Sequence, residues 1–187
     1  MLTNSSYRDL KVVDIAREAG TSPATFYQYF PDVESAILVL AEEMSQAGAR
    51  SFAALVRDGH WRGRNGYEAS LALADGFINF WDEHQSVLRV VDLGTAEGDP
   101  RFQAIRTHLL NELFNALSEA VETSRKAGRH PAEMDPMATA GVLVSMLAHV
   151  AAHRYGFEFW GIRTGDLRTS MARIIHWSVI GQKPPTG

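Results

Sequence analysis

The chain has 187 residues and contains no cysteine. Disulfide bonds, thiolate metal sites and cysteine nucleophiles are therefore excluded, and nothing points to an oxidising compartment. A long apolar run is also missing: the longest, residues 140–152, includes Ser145 and His149, whereas a membrane-spanning helix needs about 20 residues. The start, MLTNSSY, lacks the basic region and apolar run of a signal peptide. We expect a soluble, cytoplasmic protein without a membrane partner.

An excess of positive charge is absent as well. The 18 basic and 22 acidic side chains give a formal net charge of −4. A polycation that coats nucleic acid is excluded, so any contact with DNA must come from a local patch.

The hydrophobic pattern is helical almost throughout. Apolar residues recur at spacings of three and four, and no stretch alternates as a strand would. The spacing predicts two short helices at 12–19 and 23–30, and a long helix that Asp32 caps. Residues 57–66 contain three glycines and are predicted to form a loop. Further helices are predicted over residues 71–81, 87–93, 100–128, 136–157 and 165–180.

The two short helices and the turn between them have the spacing of a helix-turn-helix. Gly20 permits a sharp turn because it has no β-carbon. Ser22 is a suitable cap for the second helix, and Pro23 suits its first position. On spacing alone, a generic helical hairpin is an equally good interpretation.

The residues themselves carry a resemblance. DIAREAGTSPATFYQYFP, residues 14–31, resembles the TetR family of bacterial transcriptional regulators, whose motif reads approximately D-I-A-x-x-A-G-V-S-x-x-T-[LF]-Y-x-[YH]-F. The FYQYFP run and the aromatic-rich second half are similar to the EthR-like group. The resemblance implies an all-α protein with a helix-turn-helix DNA-binding domain (1–50) and a helical effector-binding and dimerisation domain (51–187). It implies a homodimeric, ligand-responsive regulator, most often a repressor, on a palindromic double-stranded operator.

The resemblance also assigns the DNA-binding residues. Thr25 and Tyr27 match positions that contact the DNA backbone, while Phe26 matches a core position. Gln28 is the best candidate for reading a base, because its amide pairs well with adenine. The residues expected at the DNA are Lys11, Ser22, Pro23, Ala24, Thr25, Tyr27, Gln28 and Tyr29.

Several departures from the family pattern bear on the expected DNA affinity. Val33 replaces a lysine that binds a phosphate, and Lys11 replaces a capping Thr or Ser, although Lys11 is itself able to bind a phosphate. Residues 1–31 carry three basic and three acidic side chains, so that their formal charge is zero. The family also places a helix of about four turns before the motif, which this sequence begins too late to contain. Either the sequence is shortened, or its start is an internal methionine, or the protein manages without the helix; a longer form would bind DNA better.

The second half of the sequence predicts a dimer. The helix at 136–157 is apolar on nearly every side, so it must be buried on every side. The economical explanation is a two-fold dimer in which the last two helices and their symmetry mates form a four-helix bundle. The alternative is that both helices are internal core. The residues predicted at the dimer interface are Ala138, Gly141, Ser145, Ala148, Ala152, Met171, Ile174, Ile175 and Ser178.

Aromatic residues on several helices suggest a pocket in the same half, because bulky rings rarely fill a bundle without gaps. The family resemblance points in the same direction, to a small apolar effector. His149 or His153 would be its polar anchor. The predicted lining is Phe77, Trp81, Phe114, Met146, His149 and Trp177.

No catalytic or metal site is predicted. His149 and His153 share a helix face, but no third ligand and no HExxH glutamate accompany them. No serine elbow or phosphate loop is present in the sequence, and no cofactor is expected. The main alternative to a regulator is a small-molecule-binding helical dimer that has lost or weakened DNA binding; a helical enzyme that uses His149 or His153 is the third interpretation.

Overall fold

Helices account for most of the described chain. The computed structural model describes residues 7–181, and within that range it contains no strand. The predicted all-α class is therefore confirmed. The α-helices are α1 (Val12–Glu18), α2 (Pro23–Tyr29), α3 (Val33–Arg57), α4 (Gly63–Ala96), α5 (Pro100–Lys126), α6 (Pro136–Phe157) and α7 (Thr164–Ile180).

Local signals in the sequence set several helix ends. Asp32 caps α3, since its carboxylate accepts from the backbone N–H of Ser35 at 2.7 Å. Asp135 caps α6 in the same way, by accepting from the backbone N–H of Ala138 at 2.8 Å, and Pro136 takes the first helical position. These aspartate caps satisfy backbone N–H donors that the start of a helix otherwise leaves without a partner.

The prediction of two helices at 71–81 and 87–93 was wrong. A single 34-residue helix, α4, covers both, and the predicted loop at 57–66 shrinks to residues 58–62. The polar run between the two predicted helices, Asp82-Glu83-His84-Gln85-Ser86, contains neither glycine nor proline to break a helix. Such a run is compatible with one solvated turn of a long helix.

The chain forms two compact units. Unit 1 comprises residues 1–47 and 84–108, and unit 2 comprises residues 48–83 and 109–187. Each unit combines two separate stretches of the chain, so the units are not the two consecutive domains predicted from the sequence. The predicted domain boundary near residue 50 stays a prediction. In unit 1, α1 packs against α2, and the core includes Ala16, Phe26, Ile37, Val91 and Phe102.

Unit 2 is built on stacked aromatic rings and on the pairing of α6 with α7. Phe52 stacks on Phe77 with ring centroids 4.1 Å apart. Leu113, Leu147 and Ile175, from three helices, are fully buried.

Residues Pro136–Trp160 are long and apolar enough to cross a membrane by length and composition alone, a test that core helices of soluble proteins also pass.

Candidate nucleic-acid interface and effector region

The turn of the predicted helix-turn-helix has the geometry of a Schellman motif. Gly20 adopts φ +64°, a left-handed conformation that disfavours a β-carbon. Its backbone N–H donates to the Arg17 carbonyl at 3.2 Å, and the next N–H, of Thr21, donates to the Ala16 carbonyl at 2.8 Å. The last carbonyls of α1 are thereby satisfied, and the direction of the chain into α2 is fixed.

Ser22 starts α2 by a side-chain cap. Its Oγ accepts from the backbone N–H of Thr25 at 3.1 Å and lies 2.9 Å from the Thr25 hydroxyl oxygen. Pro23 follows at the first helical position, where its missing N–H costs nothing. Both sequence-based expectations for this helix start are confirmed.

The two faces of α2 differ sharply. Phe26 is only 7% exposed and packs against Phe30, with ring centroids 5.5 Å apart and ring planes inclined by 46°. Tyr27 and Tyr29 are 58% and 75% exposed, and Gln28 is exposed between them. Ser22, Pro23 and Ala24 are exposed as well, and Thr25 is half-buried. The structure therefore brings every predicted residue of α2 except Thr25 to the surface, with amide and hydroxyl groups suited to phosphates and base edges.

Little positive charge accompanies this surface. Lys11 is exposed at the start of α1 and makes no side-chain capping bond there. Arg17 is paired with Asp14 at 2.7 Å, and Arg8 is paired with Glu97. Two of the three basic side chains within the first 31 residues thus already face a carboxylate, so a DNA phosphate would compete with that partner.

The start of α3 is tied to the start of α5 by an arginine that the sequence analysis missed. Arg101 donates to the Asp99 carboxylate at 2.6 Å and also hydrogen-bonds Glu34, one residue after Val33. The side-chain hydrogen bond from Arg101 holds the pKa of Asp99 below its ordinary value, and the same contact raises the pKa of Arg101. No sequence signal could have found the pair with Glu34, because the two residues are 67 positions apart.

The six residues predicted to line an effector pocket occupy different surroundings. Phe77 and Trp81 are buried in unit 2, whereas Phe114 and Met146 are half-buried. The indole N–H of Trp81 is buried and has no hydrogen-bond partner among the described residues. His149 and Trp177 are exposed on the surface of the single chain, and the His149 ring stacks on that of His153 with centroids 4.2 Å apart. The single chain thus places four of the predicted residues at least partly in its interior, and it leaves His149 and Trp177 on its surface.

The predicted dimer residues divide in a similar way. On α7, Met171 and Ile175 are 2% and 0% exposed inside the chain's own core, so they present no surface to a second copy. Ile174, on the same helix, is 42% exposed. Two predicted residues of α6 are exposed, Ala138 and Ser145. The others are half-buried: Gly141, Ala148 and Ala152 on α6, and Ser178 on α7. Four large hydrophobic side chains outside the predicted dimer set are also exposed on these helices: Met137, Val142, Tyr155 and Trp177.

No group of three or more metal-ligating side chains is arranged for a metal ion within residues 7–181. His149 and His153 stay a pair, and the Nδ1 atom of His153 lies 3.0 Å from the His149 carbonyl oxygen.

Fold and exposed recognition surface together define a helix-turn-helix DNA-binding protein. Residues 3–35 match the family model of the bacterial regulatory proteins of the tetR family, and residues 52–186 match that of the tetracyclin repressor-like C-terminal domain. The chain therefore belongs to the TetR family of transcriptional regulators, which are soluble, non-enzymatic transcription factors.

Solved structures show the same fold. The fatty acid degradation regulator FadR from Bacillus halodurans is similar with a TM-score of 0.66 and 17% sequence identity, over 96% of this chain and 89% of that one. A TetR-family transcriptional regulator from Rhodococcus sp. is similar with a TM-score of 0.65 and 17% identity, over 95% of this chain and 92% of that one. No curated protein matches the chain closely enough to count as a relative. The likeness to the EthR-like group stays a prediction.

Proposed function

We propose that this TetR-family regulator is a cytoplasmic homodimer that represses transcription from a palindromic operator and is released by a small apolar effector. The observation that carries the proposal is the surface of α2: a capped helix whose apolar side is buried and whose Tyr27, Gln28 and Tyr29 side chains are exposed together. In a helix-turn-helix dimer, the two such helices occupy major grooves about 34 Å apart.

Individual residues of α2 have distinct proposed roles. Gln28 reads adenine through its amide, which both donates and accepts. The Tyr27 hydroxyl and the Thr25 side chain contact phosphates, while Ser22, Pro23, Ala24 and Tyr29 fit the groove. Lys11 supplies a phosphate contact at the start of α1. Because the surrounding charge is neutral, we propose a modest affinity with a shallow dependence on salt.

An effector site among the buried aromatic residues of unit 2 completes the proposal. Phe77 and Trp81 supply an apolar wall, and the unpartnered indole N–H of Trp81 is a donor that a polar atom of an effector would satisfy. An effector dissociates the protein from most operators if its binding free energy is more favourable, by a few kcal/mol, for the conformation that does not bind DNA. Because His149 is exposed in the single chain, it would join such a site only after a rearrangement or in the dimer.

The test is selection of operator sequences from random double-stranded DNA by the full chain, followed by gel-shift titration. Gln28→Ala should weaken binding to the selected palindrome by about 1–3 kcal/mol and relax the preference at one base position. Tyr27→Phe should weaken binding to all sequences alike. Gln103→Ala, an exposed glutamine on α5 outside the motif, is the matched control and should bind as the unaltered protein does.

A second candidate function is a small-molecule-binding dimer without operator binding. The neutral helix-turn-helix segment and the apolar Val33 favour it. Failure to enrich any palindrome, with no salt-dependent binding to DNA, would support this candidate and overturn the repressor.

A further inference from the structure

Unit 2 contains an open cleft of about 700 Å³ that includes none of the six residues predicted to bind the effector. Its walls come from the end of α3, the 58–62 loop, the first turn of α4 and the C-terminal part of α5. The volume lies within the range of sites that hold small organic molecules. The cleft is therefore large enough to be a ligand site in its own right.

Arginine side chains supply most of the formal charge in the lining of this cleft. Arg57, Arg62 and Arg129 line it, against a single carboxylate, that of Glu119. Arg57 is partly engaged, since its Nη1 lies 3.7 Å from a Glu112 oxygen. The Arg62 side chain is exposed and makes no hydrogen bond or ion pair within residues 7–181. The balance of charge at the cleft is thus positive in a chain whose net charge is −4.

Arg129 is held at the cleft by the backbone. Gly128 adopts φ +72° at the end of α5, and the N–H of Arg129 then donates to the Ser124 carbonyl at 3.1 Å. The guanidinium Nη2 donates to the Ser124 hydroxyl at 3.0 Å, and Ser124 itself is 1% exposed. The Nε atom of Arg129 is buried without any partner among the described residues. An arginine positioned in this way has donors left over, and an unsatisfied buried donor is costly.

The rest of the lining is apolar and includes an aromatic wall. Trp61 is fixed by its indole N–H, which donates to the Val56 carbonyl at 2.7 Å. Val56, Ala116 and Ala120 also line the cleft. An aromatic ligand bound in this cleft would contact the apolar side chains of the lining as well as its guanidinium groups.

We propose that this cleft binds a small organic anion, a molecule that carries a carboxylate or phosphate on an apolar or aromatic body. Arg62 and Arg129 bind the charged group, because guanidinium groups make paired, charge-assisted hydrogen bonds to carboxylate and phosphate oxygens. Trp61 and Val56 cover the apolar portion. The site is separate from the apolar effector site proposed above and does not depend on it.

The test is isothermal titration calorimetry of the full chain with 2-naphthoate, and with 2-naphthalenemethanol as the neutral probe of the same ring. We expect 2-naphthoate to bind and the alcohol to bind at least about tenfold more weakly, since one charge-assisted hydrogen bond is worth about that factor. Inorganic phosphate, titrated separately, reports whether a phosphate is accepted in place of the carboxylate.

Variants locate the site. Arg62→Gln and Arg129→Gln should each weaken 2-naphthoate binding about tenfold. The matched control is Arg64→Gln, because Arg64 is highly exposed, pairs with Glu68 at 3.8 Å and does not line the cleft. Should Arg129→Gln fail to fold, as judged by circular dichroism, Arg62→Gln alone decides, because the exposed Arg62 side chain makes no hydrogen bond or ion pair within residues 7–181. Absent binding of 2-naphthoate, equal binding of the alcohol, or binding that Arg62→Gln leaves unchanged overturns the proposal.

Discussion

Arg154 and Asp82 form an ion pair in which the arginine is buried and the aspartate lies half in solvent. Their side chains are 2% and 48% exposed, and the pair joins α6 to α4 within unit 2. Arg154 also donates to the Ala151 carbonyl at 2.6 Å and to the Tyr155 hydroxyl at 2.7 Å. A buried guanidinium therefore depends on a carboxylate from a neighbouring helix.

Removal of that carboxylate should destabilise the protein. Asp82→Asn leaves the Arg154 charge buried with weaker acceptors, which costs up to about 3–5 kcal/mol for a fully buried pair. Because water reaches Asp82, we expect a smaller loss of about 1–3 kcal/mol in the free energy of unfolding, measured by urea denaturation. Glu68→Gln, which breaks the exposed pair with Arg64 on the same helix, should change it by less than about 0.5 kcal/mol. Equal effects of the two substitutions would show that Arg154 does not rely on Asp82.

The pair of Arg154 with Asp82 also shows where sequence reasoning fails. The helices predicted at 71–81 and 87–93 left Asp82 in the gap between them, but a polar side chain in mid-helix can have a partner on another element. Caps and turns were predictable because Gly20, Ser22 and Asp135 act on backbone groups within three or four residues. A partner 72 positions away leaves no local signal.

The apolar stripes of α7 show the same limit at the candidate interface. Ile174 and Ile175 are adjacent in sequence, and both belong to apolar stripes of the helix. The structure buries Ile175 completely and leaves Ile174 42% exposed. Periodicity identifies a helix with two apolar faces, but only the packing of α6 against α7 decides which face is turned inward.

The cap of α2 predicts a measurable local loss. Ser22→Ala removes the acceptor of the Thr25 N–H and should cost about 1 kcal/mol, whereas Ser22→Gly should cost only a few tenths of that relative to serine. Hydrogen exchange at the Thr25 amide should accelerate more in the alanine variant. Unchanged exchange in Ser22→Ala would mean that the side-chain cap contributes nothing to the start of this helix.

The contact of Asp99 with Arg101 predicts a dependence of stability on acid pH. The side-chain hydrogen bond from Arg101, together with that from its backbone N–H, holds the pKa of Asp99 below the ordinary value of 3.8. The unfolded chain therefore binds a proton more readily, so the stabilisation is present above pH 3.8 and is lost as pH falls through the folded pKa. Asp99→Asn should flatten the fall of the unfolding free energy between about pH 4 and pH 2. Arg101→Gln should flatten it in part, since it removes the guanidinium donor and keeps the backbone N–H donor. A slope as steep as that of the unaltered chain in both variants would contradict the assignment.

The exposed apolar side chains of α7 predict where two copies meet. Ile174 and Trp177 are 42% and 48% exposed, so charged substitutions there should leave the fold of one chain intact while placing a charge in the proposed dimer interface. A stable interface buries about 800 Å² on each partner and tolerates an unpaired charge poorly. Light scattering at micromolar concentration should give a dimer for the unaltered chain.

The two charged substitutions, Ile174→Arg and Trp177→Glu, are made in separate variants. Opposite charges in one double variant would pair with each other. Both single variants should shift the molar mass towards that of one chain. The matched control is Leu93→Glu, because Leu93 is 41% exposed on α4 and lies outside the proposed interface. A monomeric unaltered chain would end the dimer proposal. A dimer that both variants retain would place the interface elsewhere, since a charge at the centre of an apolar contact cannot be buried without a partner.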